Sequence, residues 1–259
     1  MQFLLILLFQ WTQEIVWQIV NDLDLEAVKN KTSSERIPWV EHGGITPANG
    51  PKIPFLDDPV SFAESLPTNK PRVIKSHLTF EMLPPKLLDT CKVVYVCRNP
   101  KDAIVSYFKM HEMITPEMGD SPFGDYADLA KEGKTLFGSY WEHLKSGWAR
   151  RDHSNMKFIW FEDLKRDNRG KIKEIGQFLG HDLKEEQLDI LCHSTNIDTM
   201  RSTRKNLGAN EKEKEMAEKF FRKGKIGNWT EYFHGKRLED FNKWIDDNLR
   251  GTDIKLPEN

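Results

Sequence analysis

A lysine and a histidine, Lys75 and His77, follow shortly after the apolar pair Val73-Ile74. A histidine at a strand end can take a proton from a hydroxyl group near neutral pH, and a lysine beside it can stabilise negative charge on transferred oxygen atoms. A single histidine is more often structural than catalytic, and this interpretation is kept for the remaining ones, among them His111, His143 and His193. The pair Lys75 and His77 therefore indicates a general base beside a cation.

An arginine, Arg98, follows the apolar run Val93–Cys97 and precedes Asn99 and Pro100. Asn99 can cap a helix and Pro100 suits a first helical turn, so Arg98 is expected where a strand's carboxyl end meets a helix N-terminus. Open α/β sheets bind ligands there, and a guanidinium beside free helix N–H groups is suited to phosphate, with Ser106 adding a hydroxyl. From the residues alone, an arginine that pairs with a nearby carboxylate is an equal alternative.

A second basic group, Arg222-Lys223-Gly224, lies in the stretch from Phe220 to Trp229. Two cations beside a glycine, in a loop whose backbone N–H groups can turn toward a ligand, are again suited to phosphate. Basic residues are also ordinary in surface loops, so this group has meaning only together with Arg98.

The composition predicts a folded protein and excludes one class of partner. Of the 259 residues, 38% are hydrophobic and 11% are aromatic, which is enough for a substantial core. The 38 lysines and arginines against 40 aspartates and glutamates give a formal net charge of -2. This balance offers no global basic field for nucleic acid, so any anion site must be local.

The three cysteines, Cys91, Cys97 and Cys192, cannot form a regular disulfide framework and do not have zinc-ligand spacing. We therefore expect a reducing, cytoplasmic compartment and no structural metal. Cys91 and Cys97 lie among apolar residues and are interpreted as core positions.

The N-terminal run Phe3–Phe9 is strongly apolar. It is too short to span a bilayer, and it lacks the basic flank and cleavage site of a secretory signal. We interpret it as a buried strand or as foreign sequence from an altered start, and we expect no membrane partner.

The scaffold that must position these residues is predicted from the apolar pattern. Continuous apolar runs are typical of parallel strands covered on both faces, and they occur at Phe3–Phe9, Val93–Cys97 and Phe158–Phe161, with a weaker run at Val73-Ile74. A helical pattern follows each main run, over Trp11–Val20, Lys101–Met110 and Lys171–Leu179. The order predicts an α/β fold, a parallel central sheet flanked by helices, in a single domain over residues 1–259.

Two segments have less regular patterns. Thr32 to Lys70 is rich in Pro, Gly, Ser and Asn and is predicted to be loop with short extended pieces that can line an acceptor pocket. Residues 208–219 contain an alternating charge run, which predicts a solvated helix or a mobile loop.

The order of these motifs resembles the cytosolic sulfotransferases that use 3′-phosphoadenosine 5′-phosphosulfate. Lys75-Ser76-His77-Leu78 comes first, then Val94 to Asp102, then Phe161-Glu162-Asp163, and finally Phe220 to Trp229. The resemblance covers nearly the whole chain from Trp11 onward and implies the P-loop-kinase-like fold of that family.

The resemblance also implies roles for individual residues. His77 matches the catalytic base and Lys75 the lysine that assists at the sulfuryl group. The family's ligands for the 3′-phosphate are matched by Arg98, Ser106, Arg222, Lys223 and Gly224. Trp11 matches the tryptophan that stacks on adenine, with Thr195 and Ile197 near the other adenine contacts. At Phe161 the family usually has a tyrosine whose hydroxyl reaches the cofactor.

The chain departs from the family directly before Trp11. The family pattern there is Y-P-K-[SA]-G-T-T-W, a loop that holds the 5′-phosphosulfate, whereas this chain has Phe9-Gln10-Trp11. Residues 1–10 are thus an atypical N-terminus that supplies neither the lysine nor the glycine of that loop.

The resemblance implies transfer of a sulfuryl group from the nucleotide to a hydroxyl of a small apolar acceptor such as a phenol, sterol or other alcohol. The atypical N-terminus leaves alternatives: a catalytically dead nucleotide-binding pseudoenzyme, or an altered start on an ordinary enzyme. A dehydratase that acts through a sulfated allylic alcohol is a further alternative. The oligomeric state is open, since only Glu239 matches the family's dimerisation motif, K-x-x-x-T-V-x-x-x-E, over residues 230–239.

Overall fold

The computed structural model describes residues 3–7, 10–44, 54–114, 122–208, 210–220 and 224–258. Arg222 and Lys223, two of the predicted phosphate ligands, lie outside these ranges.

Within those ranges, four strands form one parallel sheet in the order β2-β1-β3-β4. The strands are β1 (Phe3–Leu7), β2 (Arg72–Ser76), β3 (Cys91–Cys97) and β4 (Met156–Trp160). Leu5 of β1 pairs with both Ile74 and Val93, and Val96 of β3 pairs with Ile159. The predicted parallel sheet is confirmed. Its carboxyl ends share one edge, where His77, Arg98 and Phe161 follow their strands.

Helices connect and cover the strands. In chain order they are α1 (Gln10–Val20), α2 (Leu25–Asn30), α3 (Ser33–Arg36), α4 (Pro54–Asp57), α5 (Pro59–Ser65), α6 (Leu87–Thr90), α7 (Pro100–Ile114), α8 (Phe123–Lys131), α9 (Tyr140–Trp148), α10 (Phe161–Arg166), α11 (Asn168–Leu179), α12 (Glu185–Ser194), α13 (Ile197–Leu207), α14 (Glu211–Phe220) and α15 (Gly235–Leu249). Short 3-10 helices occupy His42–Gly44, Phe80–Met82 and Asn228–Glu231. Each described helix is too short or too polar to cross a membrane.

Strand β3 shows how the sheet is covered on both faces. Val94 and Val96 belong to one buried cluster with residues of α1 and α11, whereas Val93 and Tyr95 belong to a second cluster with residues of α7 and α9. Val93 and Val94 are both fully buried, so successive side chains enter different cores. Continuous apolar sequence in β3 is therefore the direct consequence of two covered faces.

The junction between β3 and α7 has the predicted local chemistry. Helix α7 begins at Pro100, and the side chain of Asn99 accepts a hydrogen bond from the Lys101 N–H at 3.1 Å. The Asn99 N–H donates to the buried carboxylate of Glu162 at 3.0 Å, which ties this junction to the end of β4. Arg98 is thereby held at the ligand-binding edge.

The prediction of a loop over Thr32 to Lys70 is wrong where α3, α4 and α5 form. Helix α3 forms because Thr32 and Glu35 make a reciprocal capping box, and α5 forms because Asp58 caps a helix that begins at Pro59. An extended piece does exist, since Trp39 bridges to Lys75 of β2. Residues 45–53 lie outside the described ranges.

One strand boundary differs from prediction. Phe161, the last residue of the predicted strand Phe158–Phe161, is the first residue of α10, because β4 ends at Trp160 and leads directly into a helix. The charge run contributes to α14, which resolves its two alternatives in favour of a helix. Helix α14 packs against α13.

Candidate active site

A cavity of about 580 Å³ opens at the carboxyl edge of the sheet. Its walls come from the strand ends, helices α1, α7 and α13, and the loop that begins at Gly224. The predicted site residues that line it are Trp11, Lys75, His77, Arg98, Ser106, Phe161, Thr195, Ile197 and Gly224. Residues predicted from distant parts of the sequence thus converge on one cavity.

His77 lies on the sheet side of this cavity with only 5% of its side chain exposed. Its ring stacks on Phe137 with centroids 4.3 Å apart and contacts Trp39 edge-on at 4.8 Å. Its Nδ1 lies 3.1 Å from the Glu41 carboxylate. Burial, helped by the charge of Lys75, lowers the pKa of His77 to about 4, so the imidazole is neutral at pH 7 and can accept a proton.

Lys75 is the last but one residue of β2 and its ammonium group lies 4.5 Å from the centre of the Trp39 ring. Burial lowers the pKa of Lys75 to about 8, while the nearby Glu41 carboxylate opposes that shift. Lys75 is therefore mostly charged at pH 7 and supplies a poorly hydrated cation, which interacts strongly with an anion brought into the cavity.

Arg98 forms the carboxylate pair that was one of its two alternatives, and its phosphate role stays a prediction. Its guanidinium lies 4.5 Å from the centre of the Phe161 ring and donates to the backbone oxygen of Lys225 at 2.7 Å. It also lies 3.6 Å from the Asp102 carboxylate. Arg98 is thus an ion-pair partner and a lining residue of the cavity at once.

The loop at Gly224 approaches α13 closely. Gly224 has a φ of 53°, and a Cβ at this position would lie 2.7 Å from the Ile197 side chain. Both the left-handed backbone and the close contact favour glycine. The backbone conformation and the lack of space for a Cβ therefore explain why residue 224 is glycine. They also bring the end of the predicted phosphate loop next to Ile197, a predicted adenine contact.

The far end of the cavity is formed by Trp11, Phe161 and the start of α13. The Trp11 and Phe161 rings meet edge-on with centroids 5.8 Å apart. Asn196 caps α13 by accepting the Thr199 N–H at 2.8 Å, which places Ile197 at the helix start. The Thr195 hydroxyl donates to the Leu191 carbonyl at 2.7 Å, so this side chain can only accept from a ligand.

The connection between β1 and α1 is short. Strand β1 ends at Leu7 and α1 begins at Gln10, which leaves Leu8 and Phe9 between them. The Gln10 amide donates to Ser33 at 2.9 Å. The start of α1 therefore borders the cavity without a lysine or glycine before Trp11.

The fold and site define an α/β protein that places its candidate residues at the carboxyl edge of a parallel sheet. A model of the sulfotransferase domain family matches residues 10–253, and the chain belongs to that family. The family expected from the motifs is confirmed. The chain is 30% identical over 252 residues to sulfotransferase 1C2 of Homo sapiens, an alignment that covers 95% of this chain and 81% of that protein. It is also 30% identical over 250 residues to sulfotransferase 1E1 of Homo sapiens, with the same coverage.

Solved structures of related proteins have the same fold as this chain. A retinol dehydratase in complex with androsterone and the inactive cofactor PAP has a TM-score of 0.85 and 30% identity, covering 99% of this chain and 82% of that one. Retinol dehydratase in complex with retinol and PAP has a TM-score of 0.85 and 31% identity, with 99% and 83% coverage. Mouse sulfotransferase SULT7A1, at 24% identity and a TM-score of 0.71 over 97% of this chain and 84% of that one, supports the fold alone.

Sequence reasoning missed two residues that organise the site. Glu41 belongs to a segment without periodicity, and nothing in its neighbours indicates a contact with His77. Asp102 stands in the quoted motif after Arg98, but its bonds go to Gly227 and Trp229. The available signal for their pairing is that Asp102, in the first turn of α7, follows Arg98 by only four residues.

Proposed function

We propose that the site, when completed by a family-type donor loop before Trp11, transfers a sulfuryl group from 3′-phosphoadenosine 5′-phosphosulfate to the hydroxyl of a small apolar acceptor. The observation that carries the proposal is convergence: a neutral histidine, a buried lysine and the residues matched to the nucleotide line one cavity. The cysteines of this protein are free thiols, and two of them are buried. They support the proposal that the protein works in a reducing cytoplasm.

In this proposal His77 takes the proton of the acceptor hydroxyl as the acceptor oxygen forms its bond to sulfur. The bond between sulfur and the 5′-phosphate oxygen breaks, and adenosine 3′,5′-bisphosphate leaves with the bonding electrons. Lys75 stabilises the negative charge on the transferred oxygens. Positioning and charge neutralisation supply most of the rate in the analogous transfer of phosphoryl groups.

The nucleotide is proposed to lie between Trp11 and the Arg98 side of the cavity. Arg98, Ser106 and Gly224 would hold the 3′-phosphate, together with Arg222 and Lys223. The close approach of Gly224 to Ile197 supports this placement, because it brings the end of the predicted phosphate loop beside a predicted adenine contact.

The acceptor is proposed to lie near His77, against an apolar part of the wall. Val105, Tyr107, Met110 and Met113 of α7 line this cavity. Methionines adapt to irregular apolar shapes, which suits a hydroxyl compound with a hydrocarbon body. The related solved structures that hold androsterone and retinol support an acceptor of this class.

Calorimetry with adenosine 3′,5′-bisphosphate tests the nucleotide assignment. Each charge-assisted contact contributes roughly 1.5 to 3 kcal/mol, so Arg98→Ala should weaken binding by about 10-fold to 150-fold. Arg169→Ala is the matched control, because Arg169 pairs with Glu185 and Asp189 away from the cavity. Equal affinities for the Arg98→Ala variant and the unaltered chain would remove Arg98 from the site.

A further inference from the structure

A partly buried carboxylate, that of Glu41, contacts the ring of the proposed base His77 at Nδ1, the nitrogen that does not take the acceptor's proton. Oxygen Oε1 of Glu41 accepts a hydrogen bond from the His77 backbone N–H and lies 3.1 Å from Nδ1 of the His77 ring. The Glu41 side chain is 18% exposed and that of His77 is 5% exposed, so the pair is largely shielded from water. Low local dielectric strengthens such a contact.

The position of Glu41 follows from strand pairing. The Lys75 N–H donates to the Pro38 oxygen at 2.8 Å, and the Val40 N–H donates to the Lys75 oxygen at 3.1 Å. These bonds form an isolated parallel bridge at the outer side of β2, in which Trp39 lies beside Lys75. Two residues further along each chain, the same register places Glu41 beside His77. The contact is therefore built into the sheet edge.

The hydrogen position on the ring follows from the charge of Glu41. Burial works against the carboxylate, but hydrogen bonds from His77 prevail and hold the pKa of Glu41 below its usual value. A deprotonated carboxylate only accepts hydrogen bonds, so Nδ1 of His77 must carry the hydrogen. The other nitrogen, Nε2, then has a free lone pair, and it has no hydrogen-bond partner within the described ranges.

The aromatic rings of Phe137 and Trp39 hold the plane of the His77 imidazole, in which Nδ1 contacts Glu41. Phe137 stacks on one face of His77 at an interplanar angle of 16°, and Trp39 meets the ring edge-on at 66°. These rings hold the plane of the imidazole, and a half-turn of the ring within that plane would break the contact between Nδ1 and Glu41. The ring is therefore held with Nδ1 toward the carboxylate.

We propose that Glu41 is a positioning residue for the His77 base: it fixes the Nδ1–H tautomer and stabilises the imidazolium that forms when Nε2 takes the acceptor's proton. The role of His77 as base rests on the function proposed above, whereas the tautomer does not. Glu41 acts here as a buried carboxylate acts on a catalytic histidine in hydrolases with a Ser-His-Asp triad.

Other charged groups near His77 act differently. Lys75 disfavours the charged imidazole, and His143, whose Nε2 lies 3.2 Å from the His77 carbonyl oxygen, disfavours it weakly. Glu41 is the carboxylate that favours the charged form, through a hydrogen bond and through its charge. Its removal should therefore lower the pKa of His77 and leave the base weaker.

The experiment reads the His77 ring by nitrogen-15 NMR in the unaltered chain, with His77→Gln to assign its signals. We expect the shifts of the Nδ1–H tautomer, and the Nε2–H tautomer would overturn the proposal. In Glu41→Gln we expect a changed or mixed tautomer and a titration moved to lower pH. An unchanged tautomer and titration in folded Glu41→Gln would also overturn it.

Two further variants distinguish loss of the hydrogen bond between Glu41 and His77 from loss of a nearby negative charge. Glu81→Gln removes another negative charge close in sequence, on a side chain that is 58% exposed and bonded to Ser146 and Arg150. It should leave the His77 tautomer unchanged, and an effect equal to that of Glu41→Gln would contradict the proposal. Glu41→Asp keeps a carboxylate and should retain part of the Nδ1–H signal, and its complete loss there would count against positioning by charge.

Turnover gives a second readout in any form of the protein that transfers sulfuryl groups. Glu41→Gln should lower kcat by no more than the roughly 10² to 10⁴ that a general base contributes, with the acidic limb of the pH profile moved to lower pH and nucleotide affinity unchanged. Failure of every form of the protein, including one with a family-type loop before Trp11, to transfer sulfuryl groups would refute the proposed function but not the tautomer, because NMR requires no turnover.

Discussion

The carboxylate of Asp102 accepts the backbone N–H of Gly227 at 2.7 Å and so fastens the loop after Gly224 to helix α7. Its second oxygen accepts the Trp229 N–H at 3.0 Å, and Arg98 lies 3.6 Å from the same side chain. Asp102 is almost fully buried, so these hydrogen bonds have little competition from water. One side chain therefore joins both halves of the proposed 3′-phosphate site.

We predict that Asp102→Asn weakens binding of adenosine 3′,5′-bisphosphate by about 10-fold or more. An amide can accept on one side only, so a buried N–H of the loop loses its partner, which costs roughly 1 to 3 kcal/mol. Calorimetry measures the affinity, and Asp128→Asn, which affects an exposed pair with Lys131, is the control. Unchanged affinity in Asp102→Asn would show that other contacts hold the loop.

We predict that His77→Ala lowers kcat by roughly 10² or more in any form with measurable turnover, while the Kd for the nucleotide stays nearly constant. The reason is that His77 follows β2 at one side of the sheet, whereas Arg98 and Phe161 follow β3 and β4 on the other side of β1. Steady-state kinetics and calorimetry give the two quantities. Retained activity with altered affinity would make His77 a binding residue instead.

We predict that nucleotide affinity falls as pH rises through about 8, where Lys75 titrates. The sign follows from charge: below this pKa the ammonium attracts the 5′-phosphate, and above it the neutral amine does not. A bound anion stabilises the ammonium, so the decline is at most tenfold per pH unit and extends above pH 8. Lys75→Met should abolish the decline, and its persistence in that variant would assign it to another group.

We predict that acid destabilises the fold between pH 6.5 and 4. Burial lowers the pKa of both His77 and His143 to about 4 from 6.5. The unfolded chain therefore binds more protons in this window, so the free energy of unfolding falls as pH is lowered, by up to about 1.4 kcal/mol per pH unit for each histidine. Urea unfolding at pH 7 and pH 5 measures it, and His143→Gln should show about half the slope. Equal slopes would exclude His143 as a contributor.

The part of the site that sequence could predict is local. Arg98 follows an apolar run and precedes Asn99-Pro100, so its place at a strand-to-helix junction depends on neighbours alone. Glu41 reaches His77 only because Trp39 pairs with Lys75, and Asp102 reaches a loop 125 residues away. Such contacts depend on how distant segments pack, which no local pattern encodes. The helices α3 and α5 depend on local sequence, but they are too short for an apolar period to indicate them. Capping by Thr32 and Asp58 starts them instead.

Only Leu8 and Phe9 separate β1 from α1, at the position where the family has its 5′-phosphosulfate loop. A phosphate cradle needs backbone N–H groups that converge, usually with glycine, and a lysine. Gln10 instead donates to Ser33. Removing one preorganised donor commonly costs roughly 10² to 10³ in rate, and the sequence before Trp11 contains neither the lysine nor the glycine of the family's loop.

We therefore predict no detectable sulfuryl transfer by the chain as written to a broad panel of phenols and alcohols, and transfer after a family-type Y-P-K-S-G-T-T segment with its strand is placed before Trp11. Transfer of labelled sulfate from the nucleotide is measured for both forms, and a third form with alanine in place of the grafted lysine is the control. That control should lose most of the gain, because the lysine neutralises the leaving 5′-phosphate. Robust turnover by the ungrafted chain would contradict the prediction, and a folded but inactive graft would favour a protein that binds the nucleotide without transfer.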